Sequence, residues 1–404
     1  MPSVYRKSND AGLRMNKLPG FGLIERARAL APLIAREADE IERTRRLTEP
    51  VVSALIQNGL YRVLLPQSLG GTEAPPEVFM QMLEEIAKTD ASTAWCLGQC
   101  SVCAMTAAYL DADAAREIFN ASPGILAWGA IANEVQVVPG GYRATGRWEF
   151  ASGCRQASWL GAHVRIVEAD GTPRLKPNGA PEVRTILFPV TSATMYDVWD
   201  VIGLKGTGTD SYSVQNLFIP DKFAALRDEP TALREQGPLY KLTTNSVYGL
   251  GFAAVSVGVA RATLDAAVDL ARGKESVGIK AMRENNAVQG QIGRTEGNLR
   301  AARAYLYTAV TEAWRDLTRT GTHTEDHRIA LRLASTWTIH QAAAVVDAAY
   351  HMAGATAVFS ANKFERRFRD MHAIAQQIQA RDTHYEDVGK AILTAGPGAT
   401  NSTT

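Results

Sequence analysis

LAWGAIANEVQVVPGGYRATGRWEFASGCRQASW, residues 126–159, reads as a β-hairpin with its flanks. Its Pro139-Gly140-Gly141 turn separates two runs in which apolar and polar residues alternate, the pattern of strands with one buried face. The second run carries Trp148, Phe150, Ser152 and Gly153 in quick succession. Large rings beside a small hydroxyl and a glycine suit a flat aromatic guest, because rings supply stacking area while Ser and backbone N–H groups reach a polar edge. The same run also reads as plain sheet core. Taken alone, it leaves both readings open.

On either side the period changes. Residues 20–124 read as an N-terminal helical domain. Leu23, Ile24, Ala27, Leu30, Ile34, Ala38 and Ile41 predict one amphipathic helix from Phe21 to about Ile41. A second begins at Thr48, with a capping hydroxyl and Pro50 in its first turn. Helices follow from Pro76 to Lys88, from a cap at Asp90 or Ser92 through Trp95 to Leu110, and from Asp111 to Phe119. Within 125–230, runs such as WLGAHVRIV, VRTILFPV and SYSVQNLFI are separated by Gly/Pro/Asn/Asp clusters, which predicts a small β-barrel or sandwich. Residues 231–395 return to helical spacing near 240–273, 284–320, 325–353 and 371–393, an alanine-rich four-helix bundle. The fold class is α+β, mostly α. Clefts between such domains are where cofactors tend to lie.

Composition narrows the function. The chain has 404 residues, 46% apolar and 21% charged, with a net charge of +1. That balance argues for a soluble globular protein and against a nucleic-acid partner. No signal-like apolar stretch opens the chain and no segment reads as long enough for a membrane span, so the expectation is a cytoplasmic protein with free thiols at Cys96, Cys100, Cys103 and Cys154. Cys96-x3-Cys100-x2-Cys103 has the spacing of an iron–sulfur site, but it lies in a small-residue helical stretch with no strand before it, so core filling is the simpler reading. No metal site is expected: Asp382, His384 and Glu386, two residues apart, point to different sides of a helix.

The order of domains and four local motifs resemble the acyl-CoA dehydrogenase superfamily. LLPQSLGG (64–71) resembles its "vPeeyGG" segment and EEIAKTDASTAW (84–95) its "E.ia..daS.aw" helix. GRWEFASG (146–153) falls where the family has a Trp-x-(Thr/Ser) strand beside the isoalloxazine, and HMAGATAVFSANKFERRFRD (351–370) resembles the stretch ending in Arg-Asp that closes the bundle. The resemblance implies a flavin, FAD or FMN, between barrel and bundle in a homotetramer. It implies Ser152 near flavin N5, Trp148 stacking, and Trp128 and Gly153 beside them. Lys274 and Gln289 fall where the family reaches the cofactor's phosphates and adenylate from a neighbouring subunit, although this chain reads Lys274-Glu275-Ser276-Val277-Gly278 where the family usually has "R..FG". Trp95, Trp128, the stretch Leu204 to Thr209 including Thr207, and the 371–378 helix with Gln377 would wall the substrate pocket.

Dehydrogenases of the family take the substrate's α-proton with a Glu shortly after the Arg-Asp pair. Here that slot, eight residues after Asp370, is Ile378, flanked by Gln377 and Gln379, and neither alkyl nor amide is a general base. Glu235 and Glu275 are the candidates for a displaced base. The alternative branch consists of oxygenases, which accept reduced flavin from a separate reductase and hydroxylate a small molecule through a C4a-hydroperoxide in a dry pocket. WEFASGC and GLKGTGTDSYSVQNLFIP (203–220) resemble these hydroxylases more closely. Aromatic hydroxylases of this branch commonly place a His where Gln377 stands, which leaves His372 as the candidate acid/base. His372 and His384 also read as surface histidines of a bundle helix. The expectation is therefore the oxygenase component of a two-component monooxygenase acting on an aromatic or heteroatom substrate. The alternatives are an acyl-CoA dehydrogenase using FAD, and a flavin-free binding or scaffold protein of the same fold.

Overall fold

The computed structural model describes residues 20–130, 133–273 and 281–394. Two helices stand where periodicity predicts one: α1 (Gly22–Ala29) and α2 (Ala31–Thr44). Pro32, in the first turn of α2, lacks the N–H that would continue the ladder, so the chain breaks at Leu30. α3 (Glu49–Gln57) starts after Thr48, but the Thr48 hydroxyl is buried without a partner instead of capping. α4 (Pro76–Ala87), α5 (Ala91–Ala104) and α6 (Ala112–Phe119) complete this layer. Of the two candidate caps for α5, Asp90 serves, accepting from Thr93 N at 2.6 Å.

Eight strands follow: β1 (Leu126–Trp128), β2 (Asn133–Val138), β3 (Gly141–Ala151), β4 (Trp159–Val167), β5 (Val183–Pro189), β6 (Thr194–Tyr196), β7 (Asp210–Pro220) and β8 (Ala224–Ala225). They form one sheet in the order β6-β7-β3-β2-β4-β5-β8, with β1 also parallel to β4. A single twisted sheet thus replaces the two layers of a sandwich. Trp148 of β3 stacks on Tyr212, its cross-strand partner on β7, with centroids 5.8 Å apart, and the roll of the sheet brings Phe188 of β5 to 6.5 Å from the same indole.

The C-terminal layer is α7 (Thr244–Gly273), α8 (Asn286–Thr320), α9 (Glu325–Ala353), α10 (Phe364–Ile374) and α11 (Thr383–Thr394). By length and composition α7 could cross a membrane, contrary to the reading that no segment qualifies, yet 94% of its apolar window is buried inside the protein. It is the central helix of the bundle. Glu84 of α4 ties this layer to the first, accepting from Arg303 Nε and Tyr307 OH at 3.0 Å. The helix expected over 371–393 is broken: α10 stops at Ile374, and Gln377 caps a 3-10 turn at Ile378–Ala380 by accepting from Gln379 N.

Asp370, buried on α10, reaches across to the loop before β7 and accepts from Leu204 N at 2.6 Å. Gly203 makes this approach feasible, since a Cβ there would stand 2.1 Å from the Arg369 carbonyl oxygen. Arg369 adds Glu42 of α2 at 2.6 Å, so one corner joins helices, loop and bundle. Burial, with Asp90 and Glu42 nearby, lifts the Asp370 carboxyl from 3.8 to about 7. The folded state therefore holds a proton that the unfolded chain has already released, and this group's contribution to stability declines as pH rises across that interval. Asp370→Asn keeps an acceptor for Leu204 N–H without the charge. It is expected to flatten the fall in melting temperature between about pH 4 and 7. Asp370→Leu orphans the Leu204 N–H and is expected to cost about 1–3 kcal/mol. Thermal denaturation from pH 4 to 8 reads both, and a steeper decline with pH in Asp370→Asn would contradict the assignment.

Candidate active site

The ladder between β3 and β7 slips once near its end, pairing Trp148 with Tyr212 and then Ala151 with Asp210. One extra residue on β3 makes this a β-bulge, a device that re-aims side chains. Phe150 absorbs it with φ +61 and turns outward, 59% exposed, although alternation from Trp148 would bury it. Ala151 points inward instead. Ser152, directly after the bulge, faces the α5 layer and is 6% exposed. Gly153 at φ +82 has Cys100 Sγ where a Cβ would stand, at 2.6 Å, so no other residue fits the turn. Arg155 then fixes the strand end, binding buried Asp210 through Nε at 2.7 Å and Nη2 at 3.0 Å.

Ser152 Oγ accepts from Trp95 Nε1 at 3.0 Å and lies 2.7 Å from Thr209 Oγ1. Thr209 Oγ1 lies 2.7 Å from Thr207 Oγ1, which donates to Leu204 O at 2.8 Å. Leu204 itself sits at φ +52, held by the Asp370 clamp, and its carbonyl also accepts from Trp199 Nε1 at 3.0 Å. The loop's backbone and hydroxyls form this site. Behind them, Trp95 stacks on Phe252 at 3.7 Å with planes 9° apart, and Phe252 on Tyr248 at 5.7 Å, an aromatic ladder between α5 and α7. Tyr248 OH is 3.4 Å from Cys103 Sγ, to which Gln99 Nε2 donates at 3.6 Å.

The structure thus brings together Ser152, Gly153, Trp95, Leu204 and Thr207. Trp148 lies elsewhere: 0% exposed inside the rolled sheet, its indole N–H given to His163 O, it has no open face for stacking a guest. The inward-facing register of β3 is the reason. Phe150 is the exposed ring of this strand. Trp128 is buried on β1, its ring edge on His163 and the Arg227 guanidinium 5.0 Å over its face. Burial and that arginine push His163 down to about 3, so it stays neutral. His372 turns towards α9, pairing with Asp347 Oδ1 at 2.9 Å and packing on Phe368, away from the hydroxyls. Because α10 ends at Ile374, His372 and Gln377 do not share a helix. Gln289 is exposed near the start of α8, its amide on the Arg283 carbonyl, and Lys274 and Glu275 lie outside the described residues. Glu235 accepts from Ser68 Oγ at 2.5 Å, well occupied away from the ladder.

Gln377 keeps its Oε1 on Gln379 N–H while its Nε2 is buried without a partner. Gln379 in turn donates to Asn245 Oδ1 at 3.3 Å in the first turn of α7, one turn before Tyr248. A hydroxyl row, a ring turned out by a bulge and a flat aromatic ladder fit a planar guest with a hydrogen-bonding edge, as a flavin has. Sequence reasoning missed Tyr248 and Phe252. The signal was there: Tyr248 and Phe252 sit four apart on one helical face.

Comparisons with known proteins agree with this geometry. Residues 24–117 match the family model of the acyl-CoA dehydrogenase N-terminal domain and residues 250–381 that of the C-terminal domain. The indole-3-acetate monooxygenase of Pseudomonas putida is 28% identical over 89% of this chain and 90% of its own. The flavin-dependent monooxygenase oxygenase subunit HsaA of Rhodococcus jostii is 27% identical over 87% and 92%. The solved structure of XiaF from Streptomyces sp., in complex with FADH2 and glycerol, shares the fold with a TM-score of 0.85, at 23% identity, over 96% of this chain and 98% of that one. The chain belongs to the acyl-CoA dehydrogenase superfamily. Within it, the chain is a flavoprotein of the branch formed by flavin-dependent monooxygenase oxygenase components.

Cys96, Cys100 and Cys103 all lie on α5 and are buried; Cys96 and Cys154 back the loop at the Thr207 and Gly208 carbonyls, Cys100 lies against Gly153, and Cys103 meets Tyr248. Burial pushes the Cys96, Cys103 and Cys154 thiols up to about 12, and Cys100 is raised as well. A thiol-specific disulfide reagent at neutral pH is therefore expected to titrate none of the four in the native protein and all four in denaturant. Rapid native-state reaction of any one would contradict the packing of α5 against the loop.

Proposed function

We propose that this protein is the oxygenase component of a two-component monooxygenase, a cytoplasmic homotetramer that receives reduced FAD or FMN from a separate reductase and hydroxylates a flat, electron-rich small molecule. The observation that carries this reading is the Ser152–Thr209–Thr207 hydroxyl row beside the Trp95–Phe252–Tyr248 ladder, with no carboxylate at the Ile378 slot. Bound reduced flavin, with dioxygen, supplies one oxygen atom to the substrate and the two electrons that send the other to water. The chain's own residues bind, orient and exclude water. Ser152 takes the hydrogen-bonding edge of the flavin, and Phe150, turned out of the sheet, offers it a ring face. Trp95, Phe252 and Tyr248 form the dry wall against which a planar substrate rests. Gln289, exposed near the start of α8, would exchange its bond to the Arg283 carbonyl for a neighbouring subunit's cofactor.

Gln377 bears on the substrate class because it stands where the resemblance puts a histidine base. Its carbonyl oxygen is occupied, so it presents an N–H donor and cannot take a proton. Burial raises the Cys103 and Tyr248 groups beside the ladder, so they stay protonated and are no bases at neutral pH. A site of this kind suits rings already nucleophilic when neutral, such as indoles, over phenols that need deprotonation. The named activity of the Pseudomonas putida relative accords with that choice.

With a flavin reductase and NADH, indole-type substrates are expected to be hydroxylated faster than simple phenols at pH 7. Ser152→Ala is expected to lower product formed per reduced flavin about tenfold, the scale of one lost hydrogen bond, with hydrogen peroxide released in its place. Product analysis by mass spectrometry and a peroxide assay check both. Bleaching of the oxidised flavin complex by acyl-CoA thioesters, with no oxygen uptake, would instead establish the dehydrogenase reading.

A further inference from the structure

The hydroxyl row has a direction, and the direction follows from what its two ends are able to do. An indole nitrogen only donates, so Ser152 Oγ spends one lone pair on Trp95 Nε1–H. A carbonyl oxygen only accepts, so the single Thr207 proton goes to Leu204 O. Thr207 must then accept from Thr209, and Thr209, its proton spent, must accept from Ser152. Each hydroxyl has one proton, and all three are committed inward. Ser152 is left with one lone pair and no donor.

We propose that Thr207 and Thr209 act as positioning residues that set Ser152 as a hydrogen-bond acceptor, so that the site selects flavin in its reduced, N5-protonated form. This rests on the assignment of Ser152 to the flavin edge made above. Reduced flavin carries N5–H, a donor, whereas oxidised flavin presents a bare N5 lone pair. An acceptor at Ser152 satisfies the first and repels the second. The row can reverse, Thr207 donating to Thr209 and Thr209 to Ser152, which frees the serine proton for oxidised N5. Reversal forfeits the Thr207–Leu204 bond, and that bond is what biases the row.

The bias serves an enzyme fed by diffusion. A protein that must capture reduced flavin and release the oxidised product gains from affinity that follows the state of N5, and no charged group is needed. Leu204 O owes its position to the Asp370 clamp and to φ +52, so the direction of the row is written into the loop geometry.

The test compares reduced and oxidised flavin. Dissociation constants for FAD and FMN in both states, measured anaerobically and aerobically by fluorescence quenching, are accompanied by the midpoint potential of the bound flavin. The parent protein is expected to hold reduced flavin at least about tenfold more tightly than oxidised, which raises the bound two-electron potential by about 30 mV over free flavin. Thr207→Val removes the hydroxyl at the Leu204 end of the row, lets Thr209 donate to Ser152 instead, and is expected to erase that preference by tightening oxidised flavin. Thr209→Val frees the Ser152 proton directly and is expected to do the same. Thr207→Ser keeps the hydroxyl and is expected to keep the preference, a rescue that a purely steric role for Thr207 would not produce. An unchanged ratio and potential in both valine variants would overturn the proposal while leaving flavin binding intact. Failure of the parent to bind flavin in either state would overturn the functional reading itself.

Discussion

Leu204 N–H on the Asp370 carboxyl, 2.6 Å long and buried, is the bond through which the bundle holds the loop before β7. The segment from Gly203 to Thr209 has left-handed backbone at Leu204 and Gly208, a conformation a free loop does not keep. It persists because Gly203 lies against the backbone of α10, Asp370 takes the Leu204 N–H, and Arg155 grips Asp210 just beyond. Once Leu204 is fixed, its carbonyl is available to Trp199 and Thr207, and the hydroxyls of Thr207, Thr209 and Ser152 fall into line. A buried carboxyl on α10 thus determines which atoms the site presents.

The bulge in β3 is the complementary constraint from the sheet. Without it, Phe150 would enter the rolled core beside Trp148, and Ser152 would follow on that same face. With it, the strand delivers a buried Trp, an outward Phe and an inward-facing Ser within five residues. The cost is a phenylalanine at positive φ, tolerated where the ladder is already interrupted.

Much of the fold was legible. The change from period 3.6 to 2 and back located helices, sheet and bundle, and caps such as Asp90 and turns such as Pro139-Gly140-Gly141 marked their ends. The breaks at Leu30 and at 375–382 were not, because Pro32 and Gln377 act through single lost or borrowed hydrogen bonds that leave hydrophobic spacing undisturbed. The apolar length of α7 was likewise underread, since its many small residues dilute hydrophobicity while allowing close packing. Ser152, Trp95, Leu204 and Thr207, expected around one pocket, do lie together, joined through Thr209 by hydrogen bonds. Trp148 was expected to stack on a guest from its neighbours, whereas the face it occupies depends on register with Tyr212, a long-range fact. Tyr248 and Phe252 were hidden for the same reason: their meaning comes from α5 and α7, distant in sequence, meeting through the Trp95 stack. His372 illustrates the converse, a residue of suggestive type whose partner, Asp347, lies on another helix.

The central claim is that this site transfers oxygen and not merely electrons. The most direct measurement is turnover of an indole substrate with the reductase, NADH and 18O2 in ordinary water, followed by mass spectrometry of the product. The account predicts one 18O atom per hydroxylated molecule and none when the label is in the water instead. Oxidised product lacking label from 18O2, or carrying label from water, would contradict it.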